Sequence, residues 1–160
     1  MKGEAQVVRP RRSPSSAGFS LIELLIVVAI ILIIAAIAIP SFLRAKISAN
    51  ESSAVSSIHA INTAEIAYSS ANPTIGFSSN LAGIGPTGGG YIDNQLATGT
   101  KSGYIFTYTP GPGAIVAGYT LNVDPQTRGV TGQRSFFSSE FSVTHANTSA
   151  VATATDPVLQ

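Results

Sequence analysis

The sequence of 160 residues contains no cysteine and no tryptophan, and only 11% of its residues are charged. Without cysteine the chain can form neither a disulfide bond nor a thiolate metal site, so cysteine usage does not indicate a redox compartment. Its two histidines, His59 and His145, are not connected by any metal-ligand spacing. No Gly-x-Ser-x-Gly motif or other nucleophile pattern is present, so the sequence predicts no enzyme activity and no cofactor.

Charge is distributed unevenly along the chain. Residues 1–18 contain four basic residues and one acidic residue, whereas residues 19–160 contain five basic and seven acidic residues. A basic segment in front of an apolar one holds the N-terminus on the cytoplasmic side of a membrane. The remainder of the chain is not basic enough to predict a nucleic-acid partner.

The longest apolar run covers residues 19–39 and contains a single charged residue, Glu23. As an α-helix it would be about 30 Å long, enough to span the hydrocarbon core of a bilayer. It fits a single-pass anchor, a secretory signal peptide cut near Ala36-Ile37-Ala38, or a helix that is processed and then joins other copies. Arg11-Arg12 also fits a twin-arginine export signal, although Arg pairs are common in basic leaders.

Glu23 favours the third of these interpretations. A carboxylate that faces lipid costs about 2.5–3.5 kcal/mol, so acids within a membrane are usually paired. No other side chain of residues 19–39 is charged, so a partner is expected from another molecule or from a charge that processing creates. A cut between Gly18 and Phe19 creates such a charge, the α-amino group of Phe19. A neighbouring copy displaced along the helix axis could bring this amine to Glu23. The equal alternative from the residues alone is an acid near the end of the span that snorkels to the membrane surface.

The sequence of residues 18–27, Gly-Phe-Ser-Leu-Ile-Glu-Leu-Leu-Ile-Val, closely resembles the class III signal of type IV pilins and type II secretion pseudopilins. The resemblance covers about the first fifth of the chain. It implies that residues 1–18 are a leader peptide, which a prepilin peptidase removes by cutting between Gly18 and Phe19. It further implies that Phe19 is N-methylated, that Glu23 is the assembly contact, and that Pro40 is the proline found inside the long helix of this family.

By this resemblance the chain is a structural, major pilin-like subunit of a type IV pilus. It is expected as a single-pass inner-membrane precursor and then in a pilus on the cell surface. The expected partners are identical subunits in a helical filament, the prepilin peptidase and methylase, the inner-membrane platform protein and the assembly ATPase. A major pseudopilin of a type II secretion system, with a periplasmic filament, shares every N-terminal feature. A third hypothesis is a non-polymerising membrane-anchored binding module that binds through residues 73–102.

Residues 40–72 continue the helical pattern beyond the apolar run. Pro40 is expected to kink the helix or to end it at the membrane exit. Helical spacing then resumes, with one apolar face formed by Ile47, Ala54, Ile58, Ile61 and Tyr68. Asn72-Pro73 predicts the end of the helix near Ala71. Glu65 lies on the apolar face, and the pattern gives no reason for it.

The remainder predicts a small β domain. Residues 73–102 are rich in Gly and Pro and predict a loop, and residues 88–90 lack the Lys and Ser/Thr of a phosphate-binding loop. Within residues 103–145, turn residues separate four short runs, 104–108, 119–123, 134–137 and 141–144, which predict an antiparallel meander. The apolar helix face is the expected cover of this sheet, so the predicted fold class is α+β.

Residues 146–160 are small and polar and predict a flexible tail. Asp124 and Asp156 are the candidate calcium ligands in the C-terminal part of the chain, but no dense acidic cluster surrounds them. The sequence therefore predicts no metal site.

Overall fold

A computed structural model describes residues 18–159, so the predicted leader lies outside the described residues except for Gly18. Its first element, α1 (Leu21–Ala71), is a helix with Pro40 inside it, so the alternative of a helix end at Pro40 is wrong. The predicted end at Ala71 is confirmed, because the backbone N–H of Asn72 donates to the Tyr68 carbonyl at 2.9 Å and Pro73 follows. The chain divides after Ile39 into two units, each described by itself.

In the first unit, Gly18, Phe19 and Ser20 precede the helix, and residues 21–39 form its first part. Every Leu, Ile, Val and Phe of residues 19–39 is exposed, from 46% at Val28 to 80% at Leu21. Of the described residues, α1 alone forms a helix that is long and apolar enough to cross a membrane, by length and composition.

The second unit, Pro40–Gln160, combines the rest of α1 with a five-stranded antiparallel sheet. The strand order β1-β2-β3-β4-β5 follows the chain, so the predicted meander and the α+β class are confirmed. The remaining elements are α2 (Leu81–Ile84), α3 (Asn94–Ala97), β1 (Thr100–Lys101), β2 (Tyr104–Pro110), β3 (Tyr119–Pro125), β4 (Ser135–Ser139) and β5 (His145–Asn147).

One face of the sheet packs on the apolar face of α1. The register pairs Tyr104 with Pro125 and Val123 with Phe136, and the side chains of Tyr104, Val123 and Phe136 are fully buried. They share one hydrophobic cluster with Ile58 and Ile61 of the helix. The helix face predicted from the 3.6-residue period therefore covers the sheet as expected.

The segment 73–102, predicted as a loop, contains α2, α3 and β1. Each short helix begins at a side-chain cap: Asn80 Oδ1 accepts from the Gly83 N–H at 2.9 Å, and Asp93 Oδ1 accepts from the Leu96 N–H at 3.0 Å. Asn and Asp are strong N-cap residues, so Asn80 and Asp93 are the sequence signals that could have predicted α2 and α3.

The fourth predicted strand, 141–144, is wrong. The chain reverses there: Ser142 has a φ of 57° and its N–H donates to the Ser139 carbonyl at 2.8 Å. The left-handed backbone of Ser142 interrupts any ladder, so the final strand starts at His145 and the Phe141 side chain is 78% exposed.

The structure also differs from the predicted flexible tail. Residues 146 and 147 belong to β5, and the following segment folds back along it. The Ala146 N–H donates to the Pro157 carbonyl at 3.0 Å, and the Leu159 N–H donates to the Thr144 carbonyl at 2.8 Å. Ala152 is fully buried. The small side chains that predicted mobility allow this close packing.

Candidate functional site

The start of α1 brings three of the predicted site residues together, because Gly18, Phe19 and Glu23 lie before or within its first turn. Ser20 stands at the N-cap, and its backbone N–H donates to Glu23 Oε2 at 2.8 Å. The Ser-x-x-Glu spacing is that of a capping box, in which the acid satisfies an N–H that the helix cannot. Residues 18–20 consequently remain outside the helix.

This hydrogen bond corrects the expectation that Glu23 has no partner within its own segment. The partner is a backbone group, which a search for charged side chains does not find. The bond satisfies one lone pair of Glu23 Oε2 and leaves its charge uncompensated. A cationic partner for Glu23 is therefore still needed in a membrane or in an apolar assembly.

Among the described residues, Gly18 has no neighbour that would exclude a larger side chain. A Cβ built on Gly18 has no heavy atom within 4 Å, counting contacts beyond its chain neighbours. Packing within the described residues thus gives no reason for glycine at this position. A requirement for glycine there must come from another molecule that approaches the backbone.

Glu51 connects α1 to the segment directly before β4. Its carboxylate accepts from the backbone N–H of Gln133 at 2.9 Å and of Arg134 at 3.0 Å, and Arg134 Nε donates at 2.8 Å. Burial raises the pKa of Glu51, but these two N–H groups and the Arg134 guanidinium outweigh it and hold the pKa below its ordinary value of 4.5.

We expect Glu51→Gln to flatten the dependence of stability on pH. A lowered pKa in the folded state stabilises above the ordinary value, and this contribution is lost as pH falls through the folded pKa. At pH 7 the variant should lose about 1 kcal/mol of unfolding free energy, since Arg134 is partly exposed. The deficit should shrink toward about pH 3, measured by thermal unfolding across this range.

The matched control is Glu140→Gln, because Glu140 has no hydrogen-bond or ion-pair partner within residues 18–159. Equal pH profiles for the two variants would contradict the role given to Glu51.

Two further polar residues of α1, Asn62 and Glu65, are buried within the second unit. Asn62 Nδ2 donates to Ser138 Oγ at 2.9 Å, and its Oδ1 accepts from the Tyr119 hydroxyl at 2.8 Å. Glu65 is fully buried and accepts from the backbone N–H of Ser78 at 2.9 Å and from the Ser78 hydroxyl. Glu65 therefore has a structural role on the apolar face of the helix, because its carboxylate binds the segment that follows the helix.

The C-terminal segment is held by two charged side chains. The Arg128 guanidinium donates to the carbonyls of Gln133, Thr148 and Ala150 and to the Ser135 hydroxyl. Asp156 accepts from Asn147 Nδ2 at 2.9 Å and from the Thr153 backbone N–H at 2.7 Å, and the Thr153 N–H and hydroxyl lower its pKa. Both carboxylate oxygens of Asp156 therefore accept hydrogen bonds from the C-terminal segment.

The histidines and acids do not gather into a metal site in the described part of the chain. No group of three His, Cys, Asp or Glu side chains that could hold a metal ion occurs between residues 18 and 159. His145 Nδ1 lies 2.6 Å from the Asp156 carbonyl, and His59 is exposed on α1.

Comparison with known proteins points to the same N-terminal segment. The family model described as the prokaryotic N-terminal methylation motif matches residues 13–39. The type IV major pilin protein PilA of Myxococcus xanthus (strain DK1622) is 40% identical over 79 residues. This alignment covers 49% of the present chain, which spans only 36% of that relative's length.

The family match includes the first part of α1, the long apolar helix. The chain is thus similar to a type IV major pilin over about half of its length, and its N-terminal segment matches the prokaryotic methylation motif.

Proposed function

We propose that the chain is the precursor of a major pilin-like subunit of a type IV pilus. It is anchored in the inner membrane, cut between Gly18 and Phe19, methylated on the Phe19 amine and polymerised through the N-terminal part of α1. The observation that carries this proposal is the exposed apolar surface of residues 19–39, all of which lies inside the matched methylation motif. Its partners are identical subunits, the prepilin peptidase and methylase, the platform protein and the assembly ATPase.

The driving force for polymerisation is burial of that surface. Each fully buried Leu or Ile contributes about 1.5–3 kcal/mol relative to water, so a helix outside the membrane is stable only when other copies cover it. In such a bundle Glu23 lies in an apolar environment and needs a cation. The methylated amine of Phe19 on an adjacent copy supplies one and sets the axial register between copies.

Replacement of Gly18 with Val is expected to prevent cleavage. The peptidase must draw an extended backbone into its active site, and a β-branched side chain obstructs that approach. Since a Cβ at this position meets no atom of residues 18–159 beyond its chain neighbours, the described fold should be unaffected. The measurement is the mass of the membrane-bound chain, which should remain that of the precursor.

The control for this variant is Ser20→Val, which places the same side chain two residues later and should still be cut. Normal processing of the Gly18 variant would contradict the assigned cut site.

The proposed function is tested by intact mass and N-terminal sequencing of protein sheared from the cell surface. A chain that starts at N-methyl-Phe19 in the sheared fraction supports a surface pilus. An uncut Met1, or a start at Ile39, would overturn the assignment.

A major pseudopilin of a type II secretion system is the second candidate, because the methylation motif and apolar helix are common to both. Processed protein found only in the cell envelope, together with loss of exoprotein release on deletion, favours it. A non-polymerising anchored module that binds through residues 73–102 is the third hypothesis, and cleavage after Gly18 counts against it.

A further inference from the structure

In the second unit, the part of α1 that directly follows Pro40 has a face that is both apolar and cationic. Phe42 and Lys46 are one helical turn apart and therefore lie on the same face. The Phe42 side chain is 68% exposed, and Lys46 is also exposed. Within residues 18–159, Lys46 has no ion-pair partner, since the two salt bridges there involve Lys101 and Arg134. This face, Phe42 and Lys46, is called the stem face below.

A complementary surface lies at the hairpin end of β2 and β3. A cleft of about 440 Å³ opens there, with Pro110, Pro112, Ala117 and Tyr119 in its walls and Glu140 at its edge. Glu140 lies directly beside Gly118, where a Cβ would stand 2.9 Å from Glu140 Oε1. Between residues 18 and 159 no hydrogen bond or ion pair engages this carboxylate. The surface is called the hairpin cleft below.

The two surfaces cannot meet within one chain. The hairpin cleft lies near the level of Asn62, because the Asn62 side chain bonds the Tyr119 hydroxyl. Lys46 precedes Asn62 on the same helix by 16 residues, which is about 24 Å along the axis. A lysine side chain cannot cover that distance.

We infer that the stem face of one copy binds the hairpin cleft of another copy, with Phe42 inserted between the prolines and Lys46 paired with Glu140. This inference rests on the proposed function, because it requires copies with parallel helices displaced along the axis. Such copies arise when all of them enter a membrane in the same orientation. We assign a second copy as the binding partner because the two surfaces are complementary. One presents an exposed aromatic ring and a free cation, and the other presents an apolar cleft and a free acid.

The contact is heterologous, since different surfaces of the two copies meet. A heterologous contact that does not close into a ring extends into an open helical polymer. The pair of surfaces therefore gives the second unit its own means of adding subunits, separate from the packing of residues 19–39. A stagger of about 24 Å is the offset that this contact imposes between the two copies it joins.

The test reverses the charges in the full-length chain and measures the amount of filament sheared from cells. Lys46→Glu and Glu140→Lys should each reduce filaments at least about tenfold, because like charges then face each other. The chain carrying both changes should recover most of the loss. The matched control combines Arg44→Glu with Glu140→Lys: Arg44 lies two residues from Lys46, on the other side of the helix, so this combination should not recover.

A second measurement uses the absence of native cysteine. In the chain with Phe42→Cys and Ala117→Cys, mild oxidation of filaments should give disulfide-linked multimers, whereas either cysteine alone should not. The control pair is Phe42→Cys with Val130→Cys, another exposed position near the level of Asn50, which should give none.

Wild-type filament levels in both single charge reversals, failure of the double reversal to recover, or absence of multimers would each overturn this contact and leave the proposed function standing. Absence of filaments from the wild-type chain would overturn the proposed function itself, and the contact with it.

Discussion

Replacement of Glu23 with Ala is expected to abolish filaments while the chain is still cut and still held in the membrane. Glu23 is the only charged residue of residues 19–39, so its removal makes the span more apolar and anchoring should not weaken. Under the proposed function, the variant lacks the partner of the Phe19 amine. A buried, unpaired cation costs several kcal/mol, and this cost recurs at every subunit added to a filament.

The variant also loses the hydrogen bond from the Ser20 N–H to Glu23 Oε2. That bond lies at an exposed helix end, where loss of a cap costs about 0.5–2 kcal/mol and frays the first turn only. The measurements are the amount of filament in the sheared fraction and the mass of the membrane-bound chain. The expected result is processed protein in the membrane and none in the sheared fraction.

Glu23→Gln is the matched control for the cap. The glutamine oxygen can still accept from the Ser20 N–H, but it carries no charge. If the charge sets the register, Gln should fail as Ala does; if the cap alone matters, Gln should assemble. Abundant filaments of wild-type form from Glu23→Ala would contradict the register role.

The sequence predicts those parts of the fold in which apolar residues follow one dominant pattern. The uninterrupted apolar run of residues 19–39 and the apolar spacing of Ile58 and Ile61 specify a helix without competing signals. The strands β2 and β3 follow from β-branched and aromatic runs that end at Pro110 and Pro125. In each case local preference and tertiary packing favour the same structure.

Contacts between distant segments were not predictable from such patterns. Glu65 is satisfied by Ser78, thirteen residues away, and Glu51 by Gln133 and Arg134, more than eighty residues away. A carboxylate on an apolar helix face therefore gives no local indication of its partner. The position of β5 depends on the left-handed conformation of Ser142, a conformation that serine adopts only where surrounding contacts hold it.

At the candidate site, the motif predicts roles for certain residues, and the structure describes their surroundings. The spacing of Gly18, Phe19 and Glu23 is a property of the sequence alone. The Ser-x-x-Glu spacing also predicts the hydrogen bond from Ser20 as part of a capping box, but a backbone donor is not a charged partner. The proposed contact between the stem face and the hairpin cleft depends on where β3 lies along α1, which is near Asn62. The spacing of residues in the sequence does not give this position.

Replacement of Phe136 with Ala is expected to unfold much of the second unit. Phe136 is fully buried in β4. Its ring centroid lies 5.9 Å from the ring centroid of Tyr104 and 5.5 Å from the guanidinium carbon of Arg134. Truncation of a buried Phe costs about 3–5 kcal/mol, a large part of the 5–15 kcal/mol that typically stabilises a domain. The melting temperature of the full chain in detergent should fall by more than about 10 °C.

Phe141→Ala is the control, because it deletes the same side chain from a position that is 78% exposed. Its effect on the melting temperature should be small, since surface substitutions usually change stability by less than about 0.5 kcal/mol. If Phe136→Ala melts like Phe141→Ala, the sheet does not pack on α1 through this residue. If only Phe136→Ala melts early and its filaments are lost while cleavage is retained, then assembly requires a folded second unit in addition to the apolar helix.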